Sequence, residues 1–212
     1  MNGESHWSKV WTKYQESEVS WFQESPSLSL DLVRHHAAEK NVRILDVGAG
    51  SSHLVDALLA DGFGRVGVLD IAAPALEIAR DRLGSRASSV DWIVSDVAAY
   101  EPSQPWDVWH DRAVFHFLVN RGDQEAYVRT LQRSLVPFGI VVIATFGLDG
   151  PKKCSGLDVR RHSPETLGES FGPGFVLLES RVEVHRTPDG TDQQFIYCAF
   201  RRDTKRERKS HR

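Results

Sequence analysis

The sequence predicts an α/β protein: a doubly wound parallel sheet in a three-layer sandwich, closed by an antiparallel hairpin at one edge. Three observations predict it. Short apolar runs alternate with amphipathic stretches from residue 42 to residue 146, the order that right-handed β-α-β crossovers require. Runs such as VRILDV (42–47) are apolar at consecutive positions, as in strands covered on both faces. The last two strand-like stretches, 175–186 and 193–201, are separated by a turn containing TPDG rather than by a helix, so they pair as a hairpin.

Each element follows from local pattern. The first 30 residues are polar but hold Trp7, Trp11, Tyr14, Trp21 and Phe22, more aromatics than disordered leaders carry. They are expected to fold onto the domain as helix then loop, with Pro26 marking a break. A helix over 29–38 has Leu30, Leu32, Val33 and Ala37 as its stripe. Strands follow at 42–47, 65–71, 90–97, 106–114 and 138–146, with helices at 54–60, 74–84 and 123–135 between them. The helix at 74–84 begins on proline and ends on glycine, the usual asymmetry of helix ends. A short helix starts near Ser163 and Pro164. One domain over 1–201 is expected, its first 40 residues a helical segment of their own.

Charge divides the chain. Residues 201–212, RRDTKRERKSHR, hold seven Lys and Arg against two acids, whereas the preceding 200 carry a net charge of −8. An acidic body disfavours nucleic acid as a partner. The basic end (202–212) reads as a disordered, solvated terminus or as a contact for anionic partners. No run of 18 apolar residues occurs, so no membrane partner is expected. Two cysteines and no evident secretory leader point to the reducing cytoplasm. The pairs His35–His36 and Cys154–Cys198 lack metal-ligand spacing, so no metal is expected.

The stretch RILDVGAGSSHLVDALLADG (43–62) turns from strand to helix through Gly48 and Gly50. Glycines there let the backbone approach a ligand closely, and Ser51 or Ser52 can cap the helix. The sixth place after Gly48 is His53, and no Gly-Lys-Ser/Thr follows, so the pattern is neither a dinucleotide fingerprint nor a Walker A loop. Asp46, two residues before the glycines, repels phosphate and attracts positive charge. Asp70 ends the second strand, where a carboxylate can accept bonds from ribose hydroxyls. Asp96 follows the third strand, within reach of an adenine amino group. A nucleoside with a cationic, phosphate-free arm satisfies all three, and S-adenosylmethionine is such a molecule.

LDVGAGSS, VLDI, SDV and the closing hairpin together resemble the class I S-adenosylmethionine-dependent methyltransferases. Ser52 stands where that family often has its third glycine. The resemblance implies a Rossmann-like seven-stranded sheet with an antiparallel last strand. It also implies S-adenosylmethionine as cofactor, contacts at Asp46, Gly48 and Gly50, ribose contact at Asp70 with Ile71 beside it, and adenine contact near Asp96 and Val97.

Methyl transfer demands alignment of the acceptor more than acid–base chemistry. WHDRAVFHF (109–117) follows the fourth strand and gathers His110, Asp111, Arg112 and His116. His116 is the candidate base, with Asp111 and Arg112 beside it and Asp111 also within the cofactor's reach. A core histidine and a structural Asp111–Arg112 pair are the alternatives. The glycine-containing loop 146–163 suits a substrate-facing flap, and its Cys154 is either a reactive thiol or a packing residue. Trp11, Tyr14 and Trp21 resemble the N-terminal lid of lysine methyltransferases acting on elongation factors and citrate synthase; ordinary packing is the alternative. That branch carries Asp/Glu-Lys-Gly-Thr after the fourth strand, where this chain has HDRAVFHF. The expected acceptor is therefore a small molecule, with a protein lysine as the second reading and a nucleoside-binding module without catalysis as the non-enzyme alternative.

Overall fold

A computed structural model describes residues 3–203. Five parallel strands carry the first two-thirds of the chain: β1 (Ile44–Val47), β2 (Val66–Asp70), β3 (Val90–Val94), β4 (Trp106–Arg112) and β5 (Leu135–Phe146). A two-stranded hairpin follows, β6 (Lys153–Cys154) and β7 (Leu157–Asp158), and then β8 (Phe175–Arg186) and β9 (Asp192–Arg202). The seven-stranded sheet has the order β3-β2-β1-β4-β5-β9-β8, with β9 antiparallel to both its neighbours.

Alternation across the strands explains the layers. Along β5, Val142 and Ala144 enter one apolar core and Val141 and Ile143 the other. The first core is covered by α2 (Ser27–His36), α3 (Leu54–Ala60) and α4 (Ala73–Leu83), through Leu32, Leu58 and Leu76. The second is covered by α5 (Arg121–Ser134) and α6 (Pro164–Phe171), through Tyr127, Leu131 and Leu167. α1 (Gly3–Lys13) is seated separately, with Val10 and Trp11 packing against Ala72 and Ala75.

Several boundaries differ from expectation for local reasons. β3 stops at Val94 because Asp96 closes a turn, its Oδ1 accepting the Ala98 N–H at 2.8 Å. β5 begins three residues before 138, since Leu135 already pairs with Trp106 and the chain absorbs Pro137 through an irregular stretch in which Phe138 has φ +63°. β9 runs to Arg202, which pairs with Phe175, so the sheet passes the boundary expected at 201. The rest of the basic terminus, 204–212, lies outside the described residues. No described helix is long and apolar enough to cross a membrane.

Candidate active site

The parallel strands aim their carboxyl ends at one edge, where the chain from Trp7 to Pro26 folds across them. Gly48 and Gly50 take φ of +60° and +56°, a conformation open to glycine but strained for other residues. A Cβ on Gly48 would lie 1.9 Å from Val114, and one on Gly50 would lie 2.6 Å from Trp11. Both turns are therefore cradles with no room for a side chain.

The cleft above this turn is lined by Asp46, Gly48, Ser29, His110, Arg112 and Trp21, among others. His110 Nδ1 lies 2.6 Å from Asp46 Oδ1, and its Nε2 lies 2.9 Å from Ser29 Oγ. All three residues are buried. With Asp46 ionised, Nδ1–H donates to the carboxylate, and Nε2 of the neutral ring accepts the serine hydroxyl. This chain fixes Asp46 yet leaves its other oxygen, Oδ2, buried without a partner.

Arg112 has the opposite charge and the same deficit. Its Nε donates to Tyr197 Oη and its Nη1 to the Trp21 carbonyl, both at 2.9 Å, and its guanidinium lies 4.5 Å over the Phe195 ring. These partners are neutral, and Nη2 is buried with none. Unpaired buried polar atoms are uncommon and costly, so two of opposite charge on one cleft mark a place for a dipolar group.

Asp70 is buried at the tip of β2. Its carboxylate accepts the Gly50 and Ala72 N–H groups, each at 2.8 Å. Burial pushes its pKa up to about 6, against the pull of those two donors. A carboxylate has about four lone-pair sites, so Asp70 keeps capacity for a hydroxyl.

The cleft is shut. Trp11 lies against Gly50, and the free space is about 50 Å³, against roughly 300–1,000 Å³ for drug-sized ligands. Arg82 clasps the closing segment: it donates to the Ser51 and Ser52 carbonyls, each at 2.8 Å, and pairs with Glu16 at 2.7 Å and Asp56 at 2.8 Å. The residues suit the polar groups of S-adenosylmethionine; its bulk requires the segment around Trp11 to withdraw.

A second hollow of about 540 Å³ lies on the other side of Trp21 and Val19, between α1 and the turn joining β6 to β7. Tyr14 lines this hollow rather than the cleft and is 41% exposed.

Other residues singled out in the sequence sit elsewhere. Asp111 is fully buried; it accepts the Val114 and Phe115 N–H groups and the Tyr127 hydroxyl, at 2.9, 3.2 and 2.6 Å. Burial raises its pKa to about 6. It holds the turn after β4 and makes no ion pair with Arg112, because successive strand residues face opposite sides. His116 is fully buried between Phe117 and Phe146, its Nδ1 accepting the Phe146 N–H at 3.3 Å. Burial lowers its pKa to about 3, helped by His162 and Arg112. Asp111 and His116 are thus not among the residues lining the closed cleft, nor are Asp70 and Gly50. Asp96 is exposed on its turn and Val97 is in the core; neither lines the cleft. Ile71 is half-buried beside Asp70 and Gly3. Burial raises the Cys154 thiol to about 11, the reverse of an activated nucleophile.

Ser29, Glu16 and Arg82 were not picked out from sequence, and His110 was noted only as one of a group. The parallel register of β1 and β4 pairs Asp46 with His110, and aligning the two predicted strands could have shown it. Ser29 left no signal of its own. The fold also brings Glu179 to His35 and His36, with one potential ligand atom of each within 4.8 Å of the others. Sequence spacing could not show this, since Glu179 is 143 residues from His36.

Comparison with known proteins fits this geometry. Residues 44–139 match the family model described as a methyltransferase domain. Malonyl-[acyl-carrier protein] O-methyltransferase 2 of Ilyobacter polytropus is 26% identical over 114 residues, 53% of this chain and 42% of that protein. The chain thus matches less than half the length of this curated relative. A SAM-dependent methyltransferase from Anabaena variabilis superposes with TM-score 0.76 at 18% identity, over 95% of this chain and 96% of that one. N-methyltransferase NodS from Bradyrhizobium japonicum, in complex with S-adenosyl-L-homocysteine, superposes with TM-score 0.72 at 16% identity, over 95% and 99%. Residues 44–139 thus match the methyltransferase-domain model, and the chain shares the fold of these solved methyltransferases.

Proposed function

We propose that this protein transfers a methyl group from S-adenosylmethionine to a nucleophile of a small molecule, and that it does so in the cytoplasm. The observation that carries the reading is the pair of buried, unpartnered atoms of opposite charge on one cleft, Asp46 Oδ2 and Arg112 Nη2. Asp46 would hold the cofactor's ammonium, Arg112 its carboxylate and Asp70 its ribose hydroxyls, with Gly48 and Gly50 giving backbone approach. Bound there, the cofactor supplies a methyl carbon activated by a sulfonium, and the electrons of the broken bond leave with sulfur.

The chain's own contribution is positioning and exclusion of water. Ser29 and His110 hold Asp46 in one orientation, and the segment carrying Trp11 and Trp21 covers the cleft. Aromatic faces there favour a cation by cation–π attraction. Of the two histidines lining the cleft, His110 is committed to Asp46 and Ser29, whereas His53 keeps a buried Nε2 without a hydrogen-bond partner. Both cysteines are free and buried, which suits a reducing compartment.

Isothermal titration with S-adenosylhomocysteine tests the cofactor. Saturable binding is expected, weakened about 100-fold by Asp70→Ala, which removes charge-assisted bonds worth about 1.5–3 kcal/mol each. Labelled methyl incubated with a cell lysate tests the acceptor. The label is expected in the small-molecule fraction; label confined to protein would overturn that part.

A further inference from the structure

The hollow beyond Trp21 has a chemistry of its own. It is lined by His6, Lys9, Lys13 and Tyr14 of the first segment, by Trp21, and by Ser155 at the tip of the β6–β7 turn. At about 540 Å³ it falls within the range of small-molecule sites. Among the described residues neither Lys9 nor Lys13 has a carboxylate partner. The Lys13 ammonium instead lies 4.8 Å over the Tyr14 ring. Glu18, the acid on this lining, accepts the Gln15 N–H on Oε2 at 2.8 Å and keeps its other oxygen. His6 Nε2 is buried without a partner. Thus the lining carries two ammonium groups against one carboxylate, an excess of positive charge.

The opposite wall is strained. Ser155 and Gly156 both have positive φ, +51° and +78°. Asn or Gly at the first of these places would be easier, and such strain gathers at ligand-contacting turns. Trp21 and Val19 line both hollows, so a molecule anchored here adjoins the cleft, and the Trp21 indole must withdraw with the Trp11 segment before its nucleophile can meet the methyl carbon.

We propose that this hollow is the acceptor site, and that its acceptor is a small molecule carrying an anionic group, carboxylate or phosphate, held by Lys9 and Lys13. The proposal rests on the methyltransferase reading for the word acceptor; the anion site itself does not. Lysines i and i+4 on α1 share a face, and together they give an aromatic-walled hollow a cationic end.

Titration with 2-naphthoate, 2-naphthyl phosphate and neutral 2-naphthamide at fixed ionic strength tests it, with S-adenosylhomocysteine titrated in parallel. At least one anion is expected to bind ten-fold or more tightly than the amide. Lys9→Gln with Lys13→Gln, both exposed helix positions, is expected to weaken that anion at least ten-fold and leave S-adenosylhomocysteine within two-fold. Preference for one anion over the other identifies the group. Equal affinity for all three probes, no saturable binding of any, or no effect of the double variant overturns the proposal. Anion binding without S-adenosylhomocysteine binding keeps the site and removes the methyltransferase reading.

Discussion

Trp21 separates two hollows built on opposite terms. The cleft at the strand ends has about 50 Å³ of free space; the hollow on α1 has about 540 Å³. A buried carboxylate and a half-buried guanidinium, each fixed by named partners, make the first. Exposed lysines and a hairpin tip make the second. The difference teaches where selectivity resides. A fixed, desolvated constellation suits one invariant ligand, because preorganised groups lose little on binding. An open hollow with flexible cations accepts a class of molecules.

The largest effect expected to sharpen this contrast is at Asp46. Asp46→Ala removes the one acidic oxygen left free in the cleft and unpairs His110, so S-adenosylhomocysteine affinity is expected to fall about 100-fold. Binding of the naphthyl anion is expected to stay within two-fold. A parallel loss of both affinities by titration would mean the hollows are a single site.

The next effect concerns closure. Glu16 and Arg82 are partly exposed, at 29% and 21% of their side chains, and such a pair is worth at most about 1 kcal/mol. If the cleft must open to fill, Glu16→Gln raises the open population, and apparent affinity follows that population. Stopped-flow tryptophan fluorescence should then show S-adenosylhomocysteine associating up to about five-fold faster. An unchanged rate would mean the clasp does not gate entry.

A third effect separates the core from both hollows. His116 and His162 have pKa values lowered by burial to about 3 and about 4. Unfolding returns them to about 6.5, so the unfolded chain binds more protons below that pH. Their contribution is whole above about pH 6.5 and is lost as pH falls toward 4 and then 3, at up to about 1.4 kcal/mol per unit for each histidine. Asp70 and Asp111, raised to about 6, act oppositely: they add stability below about pH 4 and lose it as pH rises through 6. Between about pH 6 and 4 the two pairs nearly cancel, so His116→Phe is expected to make Tm rise relative to the parent as pH falls through that window. An unchanged slope would place the proton uptake elsewhere.

The smallest effect is at Cys154, next to the flap tip yet buried. A thiol pushed up to about 11 is expected to resist disulfide reagents in the native state and to react at the rate of opening. Fast labelling would mean the flap moves far more than its packing implies.

Much of this was legible in the sequence, and the limits are physical. Helix α3 and strand β8 fall where pattern put them, because consecutive apolar runs and glycine ends are local signals. Asp46, Gly48 and Gly50 were readable because a strand tip and a turn fix them within five residues. His110 and His116 look alike in WHDRAVFHF. Only the register against β1 sends one to Asp46, while the turn after β4 buries the other beneath Phe146. Ser29, Arg82 and Glu179 act across 81, 66 and 143 residues, and nothing local encodes such meetings. Tyr14 was assigned with Trp11 by aromatic character, yet the helix places them on different hollows.

The position of β9 has a consequence for synthesis. Strand β9, made after β8, lies between β5 and β8, so β8 has no neighbour in the sheet until Asp192–Arg202 has left the ribosome. Strands β1, β2 and β4, which carry Asp46, Asp70, His110 and Arg112, can pair long before. The nascent chain can thus assemble the half that carries the cleft early, while the far edge waits for β9 to thread into place.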